Sequence, residues 1–191
     1  MNYTQLIKQS VTDSITAKST FIDTHMDKIE PCARQIAEKM AQGDKLLLFG
    51  NGGSAADSQH IAAEFINRFQ MERRPLPAIA LTTDTSVITS IGNDYSYDDI
   101  FLKQVQALGK RGDAALGIST SGNSPNVIKA IEAAKRNGLL TIGFSGSKGR
   151  LKEICDFSFC VPSDVTVRIQ EAHILLAHIL CDITERVLFN E

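Results

Sequence analysis

The sequence predicts an α/β protein, with a mostly parallel sheet covered by helices on both faces. Beyond Lys45, short apolar runs alternate with helical stretches, the pattern that strand-helix-strand crossovers produce. The first run, residues 45–49, is nearly all apolar, as a buried strand requires. No internal repeat, low-complexity tract or Pro/Gly/Ser linker interrupts the order, so residues 1–191 are expected to form one domain.

The order of elements follows from the periodicity of the apolar positions. Strands are expected where four to six apolar residues run together, and helices where apolar residues recur every three or four positions. The expected elements are strand 45–49, helix 54–69, strand 77–81, short helix 84–91, helix 98–109, strand 113–118, helix 125–137, strand 139–144, short helix 149–154 and strand 157–161.

Helical extensions are expected at both ends of this alternating region. Residues 3–29 carry apolar side chains at helical spacing, and Pro31 suits the first turn of a second helix that stops at Gly43. The predicted N-terminal extension therefore covers residues 1–42. Residues 166–189 have too many apolar positions for a helix that buries one stripe, so this helix is expected to pack on the sheet and against a partner.

Composition and charge exclude several classes of protein. The formal net charge is -2 and no Lys/Arg-rich block occurs, so a nucleic-acid partner is not expected. The N-terminus lacks a secretory signal pattern, and no apolar run approaches the roughly 18 residues of a membrane span. A cytoplasmic protein without a membrane partner is therefore expected.

The cysteines lack any CxxC pair and are expected to be reduced, buried thiols, namely Cys32, Cys155, Cys160 and Cys181.

The stretch "GISTSGNSPNVIKAIEAAK" at 117–135 has the features of an anion-binding loop. Gly122 permits a tight backbone path, and Pro125 fits a first helical turn with free N–H groups. The loop lacks GKS or GKT, and no GxGxxG pattern with a downstream carboxylate is present, so a nucleotide is not expected. The loop therefore predicts binding of a phosphorylated small metabolite. The competing interpretation is that the hydroxyls of this loop only cap the following helix, but one cap uses fewer than four of them. The four hydroxyl residues are Ser119, Thr120, Ser121 and Ser124.

A second glycine-rich loop follows the first strand and runs into a helix that carries His60 and Glu64. In open α/β sheets the carboxyl ends of strands hold the ligand, so the two loops are expected to outline one pocket. Positions 60 and 64 differ by about 40 degrees around a helix and point the same way. Such a pair is usually a solvated contact, but it can also hold a divalent metal or remove a proton beside a carbonyl.

Four segments carry a resemblance to a known family: "GNGGSAAD", "IGNDYSYDDIF", "ISTSGNS" and "RIQEAHILLAH". From about residue 30 to the end, the chain resembles the sugar isomerase (SIS) family and, within it, the phosphoheptose isomerases. The N-terminal helix matches in kind only. The resemblance implies a flavodoxin-like or Rossmann-like three-layer domain, a homotetramer with active sites at subunit interfaces, and conversion of sedoheptulose 7-phosphate to D-glycero-D-manno-heptose 7-phosphate for surface glycans.

The resemblance also implies the metal and the catalytic groups. It assigns one zinc ion per subunit to His60, Glu64, Gln170 and His178, with Glu64 as general base and His178 as acid/base. Gln170 and His178 are eight residues apart, about 12 Å of rise and about 80 degrees of rotation on one helix. The four-ligand set is therefore implied by the resemblance and not by the spacing.

The substrate-binding residues are expected around both loops and one further segment. The serines at 54, 119, 121 and 124 would hold the phosphate and the sugar chain. Asn93 and Asp94 match a substrate-contacting turn of the family. The full expected set is Asn51, Gly52, Gly53, Ser54, Glu64, Asn93, Asp94, Ser119, Thr120, Ser121, Ser124 and Gln170.

A non-catalytic SIS protein is the alternative function. Such relatives include a bacterial replication-initiation factor that binds the initiator ATPase, and "LPAIAL" and "CDITERVLF" also look similar to that protein. That factor lacks the acidic residue and the histidine that this chain keeps as Glu64 and His178, so catalysis is favoured. A phosphosugar-sensing regulator is a third interpretation, but no DNA-binding region accompanies the domain.

Overall fold

A computed structural model describes residues 2–189 of the chain. Its five strands form one sheet in which each neighbouring pair is parallel. The elements in chain order are α1 (Tyr3–Ala41), β1 (Leu46–Gly50), α2 (Gly53–Ile66), β2 (Ala78–Ala80), α3 (Thr85–Asp94), a 3-10 turn (Tyr97–Asp99), α4 (Ile100–Leu108), β3 (Ala114–Ser119), α5 (Pro125–Arg136), β4 (Leu140–Gly146), α6 (Leu151–Ile154), β5 (Phe157–Val161) and α7 (Thr166–Phe189).

The strand order is β2-β1-β3-β4-β5, which is the flavodoxin-like order. The chain leaves β1 toward β2 on one side and returns to β3 on the other side of β1. The carboxyl ends of β1 and β3 are therefore adjacent at the point where the order reverses, and this is where such sheets bind ligands. Both glycine-rich loops begin there, as the sequence predicts.

Alternate residues of the strands feed two separate hydrophobic cores, one on each face of the sheet. Leu46 and Leu48 of β1 pack with α1, α2 and α7. Leu47 and Phe49 of the same strand pack with α4, α5 and α6. Helices therefore cover both faces, and the predicted three-layer α/β fold is confirmed.

The prediction of two N-terminal helices is wrong. One continuous helix, α1, spans Tyr3–Ala41 and includes Pro31. Pro31 is exposed, so its ring and the backbone nitrogen that lacks a hydrogen lie on the solvent side of the helix. Ile29 and Cys32, on either side of it in the chain, are buried against the sheet layer. This buried face continues across the proline, so packing outweighs the local tendency of proline to end a helix.

The C-terminal helix α7 is packed along α1 and against the sheet. Ile169, Leu176 and Leu180 are among its buried side chains, as the surplus of apolar positions predicts.

All four cysteines are free thiols; Cys32 and Cys181 are buried, whereas Cys155 and Cys160 are only partly buried. Among residues 2–189, no helix has the length and apolar character that crossing a membrane requires.

Candidate active site

Three serine hydroxyls converge in the loop between β3 and α5. Ser119 Oγ lies 2.9 Å from Ser124 Oγ and 3.4 Å from Ser121 Oγ. The backbone N–H groups of Asn123 and Ser124 point at these same oxygens. The loop therefore gathers hydroxyl and N–H donors around one position at the N-terminus of α5, where the helix dipole favours an anion.

The backbone of this loop explains why its hydroxyls are available. Gly122 has a φ of 69°, and a side chain there would collide with the carbonyl of Lys148. Ser124 is the N-cap residue of α5, yet within residues 2–189 its side chain accepts no capping hydrogen bond and contacts Ser119 instead. Helix capping therefore does not account for the serines. Thr120 and Ser121 line an adjoining cleft of about 310 Å³.

The first loop is tied to neighbouring segments by the side chain of Asn51. Asn51 and Asn126 exchange two amide hydrogen bonds of 2.9 Å, and the Tyr97 hydroxyl donates to Asn51 Oδ1 at 3.1 Å. The amide of Asn51 thus ties the β1 loop to α5. Gly52 has a φ of 57° and is exposed, whereas Ser54 is buried at 3% exposure.

Three of the four predicted metal ligands meet between α2 and α7. His60 Nε2 lies 2.9 Å from His178 Nε2 and 3.5 Å from Glu64 Oε1, and ligand atoms of all three lie within 4.8 Å of one another. The side chain of His60 is 49% exposed and that of Glu64 is 24% exposed. A small ligand can therefore reach this cluster from solvent.

Two side chains on the helices of the cluster, a half-buried carboxyl and a buried histidine, have displaced pKa values. Burial raises the pKa of the Asp57 carboxyl, one turn before His60, and the charge of His60 opposes that shift. Burial also lowers the pKa of His173 to about 4, against the opposing effect of its hydrogen bond to the Ser145 carbonyl. His173 is therefore a neutral core histidine, although it lies on the same helix as His178.

The fourth predicted ligand, Gln170, contacts a different part of α2. A Cβ added at Gly53 would collide with Nε2 of Gln170, so this amide lies over the first turn of α2. His60 and His178 meet about two turns further along both helices. The two helices thus run side by side, with Gln170 facing the first loop and His178 facing His60. The role of Gln170 as a ligand stays a prediction.

Asn93 and Asp94 lie in the last turn of α3 and not in a loop. Both are exposed, and Asn93 Nδ2 donates to Asp94 Oδ1 at 2.8 Å. The short helix extends three residues further than the sequence predicts. The same segment supplies Tyr97, which sequence reasoning missed although it lies in the quoted "IGNDYSYDDIF". Asn126 was likewise missed, although it lies in the quoted 117–135 stretch.

His178 also borders a groove of about 640 Å³ between α1 and α7. Its apolar lining includes Ile15, Ile22 and Ile174. Further large apolar side chains on α1 are exposed by more than half, namely Tyr3, Leu6, Ile7 and Val11. The cluster therefore lies beside an extended apolar surface.

Comparison with known proteins identifies the family. Residues 11–146 match the family described as SIS domain. Phosphoheptose isomerase from Nitratidesulfovibrio vulgaris is 53% identical over 97% of this chain and 90% of its own. Solved phosphoheptose isomerases from Neisseria gonorrhoeae and Francisella tularensis are 41% and 39% identical, with TM-scores of 0.90 and 0.93. The alignments cover 96% and 97% of this chain and 99% and 100% of those structures. The chain belongs to the SIS-domain family and, within it, to the phosphoheptose isomerases.

Proposed function

We propose that this chain isomerises sedoheptulose 7-phosphate to D-glycero-D-manno-heptose 7-phosphate, the entry to nucleotide-activated heptose for surface glycans such as lipopolysaccharide. The observation that carries the proposal is the meeting of Glu64, His60 and His178 in one cluster reached from solvent. The loop at 119–124 follows β3, at the same carboxyl edge of the sheet from which α2 begins after β1. The names of the relatives support the same reaction.

The loop between β3 and α5 would hold the phosphate. A phosphate monoester at neutral pH presents mainly acceptor oxygens, and the loop offers the hydroxyls of Ser119, Ser121 and Ser124 beside the N-terminus of α5, where the helix dipole favours an anion. Hydrogen bonds to a charged group are stronger than neutral ones. Binding at this end would leave the far end of the sugar free to reach the cluster on α2 and α7.

Glu64 would move the proton between C1 and C2 of the sugar. Aldose-ketose conversion through an enediol requires a base that takes a proton from one carbon and returns it to the next. Glu64 is partly exposed and close to His60, so its carboxylate can face a substrate. His178 would exchange protons with the sugar oxygens through its second ring nitrogen, Nδ1, because Nε2 faces the proposed ion.

The side chains in the cluster fit a zinc ion. Two imidazole Nε2 atoms face each other at 2.9 Å with a carboxylate oxygen beside them. Nitrogen and oxygen donors converging in this way are the usual ligands of a catalytic zinc, which can also expand to five ligands when substrate binds. We propose that His60, Glu64 and His178 hold the ion, with Gln170 as the fourth ligand. Bound zinc would supply Lewis-acid polarisation of the sugar carbonyl.

We further propose a homotetramer in the cytoplasm. The apolar groove beside His178 and the exposed apolar side chains of α1 support burial of this surface in an assembly, because contiguous apolar patches mark interaction sites. The negative net charge gives no support to a nucleic-acid partner.

The test is turnover of sedoheptulose 7-phosphate by the purified, zinc-loaded protein, followed by NMR for the aldose product. Sedoheptulose without phosphate is the matched control, and we expect it to react far more slowly because it cannot engage the serine loop. Absence of turnover by folded, zinc-loaded protein would overturn the catalytic proposal. It would then favour a binding protein similar to the replication-initiation factor.

A further inference from the structure

We propose that Arg73 and Glu185 are positioning residues that fix α2 against α7 and thereby set the spacing between Glu64 and His178. The inference rests on the proposed function, since it concerns the same cluster. Arg73 lies outside every segment singled out in the sequence, Glu185 lies only in the "CDITERVLF" stretch that resembles the non-catalytic relative, and 112 positions separate them. Arg73 donates to the backbone of Glu64, and Glu185 holds the N–H of Phe69, whose ring lies against His178.

Glu185 is a buried carboxylate with four hydrogen-bond donors. Its side chain is 1% exposed and lies on α7, about two turns beyond His178. It accepts the backbone N–H groups of Phe69 at 3.1 Å, Gln70 at 2.8 Å and Met71 at 2.9 Å. Burial alone would raise the pKa of Glu185, but these N–H groups and Arg73 lower it. The carboxylate is therefore charged at neutral pH, and both of its oxygens accept hydrogen bonds.

Arg73 binds Glu185 and closes the C-terminal end of α2. Its side chain is 2% exposed, and its Nε donates to Glu185 Oε1 at 2.9 Å. Its Nη1 donates to the carbonyls of Phe65 at 2.7 Å and Asn67 at 3.1 Å, and its Nη2 donates to the carbonyl of Glu64 at 2.8 Å. The last carbonyls of a helix have no intrahelical partner, and the guanidinium supplies one at the negative end of the dipole.

The Arg73–Glu185 pair and its hydrogen bonds form a clamp, and this clamp contacts the cluster directly. One of the carbonyls that Arg73 holds is that of Glu64 itself. The Phe69 N–H is held by Glu185, and the Phe69 ring lies against the His178 ring with centroids 5.5 Å apart. Sliding or rotation of α2 along α7 would thus break the clamp and change the spacing of Glu64 and His178 together.

Stability alone is a weak reason to bury such a pair. Replacing a buried ion pair by apolar side chains is often neutral or stabilising, because desolvation offsets the attraction. A planar guanidinium that binds a carboxylate and four backbone carbonyls at once does fix geometry in a way that apolar packing does not. Outer residues that orient metal ligands typically alter metal affinity or activity by about 10-fold to 100-fold when changed.

The first experiment compares Arg73→Lys and Glu185→Gln with Arg186→Lys, a matched control. Arg186 is on the same helix and pairs with Asp182 at the surface, with 55% of its side chain exposed. Each zinc-loaded variant is assayed well below its melting temperature. We expect kcat to fall at least roughly 10-fold for the two clamp variants, with KM within about threefold, because the serine loop lies on other elements. Zinc affinity, measured with a competing chelator, should fall by a similar factor. The control should match the wild type.

A lower melting temperature with kcat and zinc affinity within about twofold of the wild type would overturn the proposal and leave the clamp a structural feature. Zinc affinity also separates the two hypotheses. If the wild type binds zinc but does not isomerise sedoheptulose 7-phosphate, the proposed function fails, while the clamp is still decided by the affinities of the variants.

A measurement on the wild type decides the matter if the variants do not fold. Coupling is reciprocal, so zinc bound at the cluster should slow amide hydrogen exchange at Phe69, Gln70 and Met71. The matched control is the Thr141 amide, which donates to the partly buried carboxylate of Asp156 at 2.9 Å on the other side of the sheet. Slowing of the three clamp amides beyond that of Thr141 is expected. Equal slowing, or none, would overturn the positioning role.

Discussion

The serine loop and the His60-Glu64-His178 cluster belong to one proposed site but are built in opposite ways. The contacts that shape the loop hydroxyls join residues at most five positions apart. The contact between His60 and His178 joins residues 118 positions apart on two helices. The three hydroxyls are therefore brought together by neighbouring residues, although their loop also accepts hydrogen bonds from the backbone of Gly146, Arg150 and Leu151. The cluster, in contrast, exists only when α2 and α7 are packed together.

This difference predicts that the two regions fail separately. A change in the loop should weaken binding of the phosphate without disturbing the proton transfer. A change in the cluster should stop the chemistry while the phosphate still binds. The largest effect is expected at the proposed base, where the chemistry depends on a single carboxylate.

Glu64→Gln should lower kcat about 1000-fold, because the amide keeps the size of the side chain but cannot accept the proton. The assay is conversion of sedoheptulose 7-phosphate at saturating zinc, so that a weaker metal site does not limit the rate. KM should change little, since the serine loop is intact.

Glu72→Gln is the control for that substitution. Glu72 is 90% exposed and lies 3.7 Å from Arg68 Nε at the surface, so its activity should equal that of the wild type. If Glu64→Gln kept more than about a tenth of the activity, Glu64 would not be the general base.

The next effect concerns His173, whose Nε2 lies 3.1 Å from the Ser145 carbonyl and so links α7 to β4. Its pKa is about 4 in the folded chain, lowered by burial from an ordinary value of 6.5. Between these values the unfolded chain binds a proton that the folded chain does not, so the free energy of unfolding should fall as pH falls from 6.5 to 4. The loss should reach roughly 3 kcal/mol.

Urea unfolding of the metal-free protein at several pH values measures this slope, with His173→Gln as the comparison. The glutamine can still donate to the Ser145 carbonyl but does not titrate, so its slope in this window should be shallower. Glu185 and Asp113 have lowered pKa values and add their own loss of stability only at more acid pH, below their ordinary values near 4. Equal slopes for both proteins would mean that His173 is not held neutral.

A smaller effect is expected in the loop. Ser124→Ala removes the hydroxyl that lies 2.9 Å from Ser119 Oγ and should raise KM about 10-fold, the value of one hydrogen bond to a charged group. kcat should stay within about threefold, and zinc affinity should not change. Ser90→Ala, at an exposed site on α3, controls for loss of a surface hydroxyl. A fall in kcat with unchanged KM would contradict the separation of the two regions.

The sequence alone predicted most of the local features of the molecule. The alternating elements, both glycine-rich loops and the shared face of His60 and Glu64 follow from short-range patterns and are confirmed in position. The predicted helix boundary at Pro31 is wrong, because the tendency of proline to begin a new helix is local and long-range packing of α1 outweighs it. α2 ends at Ile66, earlier than predicted, and the N–H groups of residues 69–71 beyond it donate to Glu185 instead of continuing a helix.

The long-range features could not be derived from local patterns. The partner of His60 came only from the family resemblance, since nothing in the spacing links it to His178. Nothing in the sequence linked Arg73 to Glu185, although Glu185 lies in the quoted "CDITERVLF", because a buried ion pair between distant segments leaves no periodic signal in either one. Tyr97 and Asn126 were within quoted motifs, yet their hydrogen bonds to Asn51 depend on how the sheet brings three segments together.

The smallest effect addresses Gln170, which lies between the two regions. Gly53→Ala would place a methyl group where the Gln170 amide lies, and the flexible side chain can move aside, so folding should be retained. If Gln170 is the fourth ligand, zinc affinity should fall several-fold in Gly53→Ala and in Gln170→Ala, and combining them should add nothing further. Gly92→Ala is the matched control, because a Cβ there meets no atom of residues 2–189 within 4 Å. A higher KM with unchanged zinc affinity would instead assign Gln170 to the sugar and leave the cluster with three protein ligands.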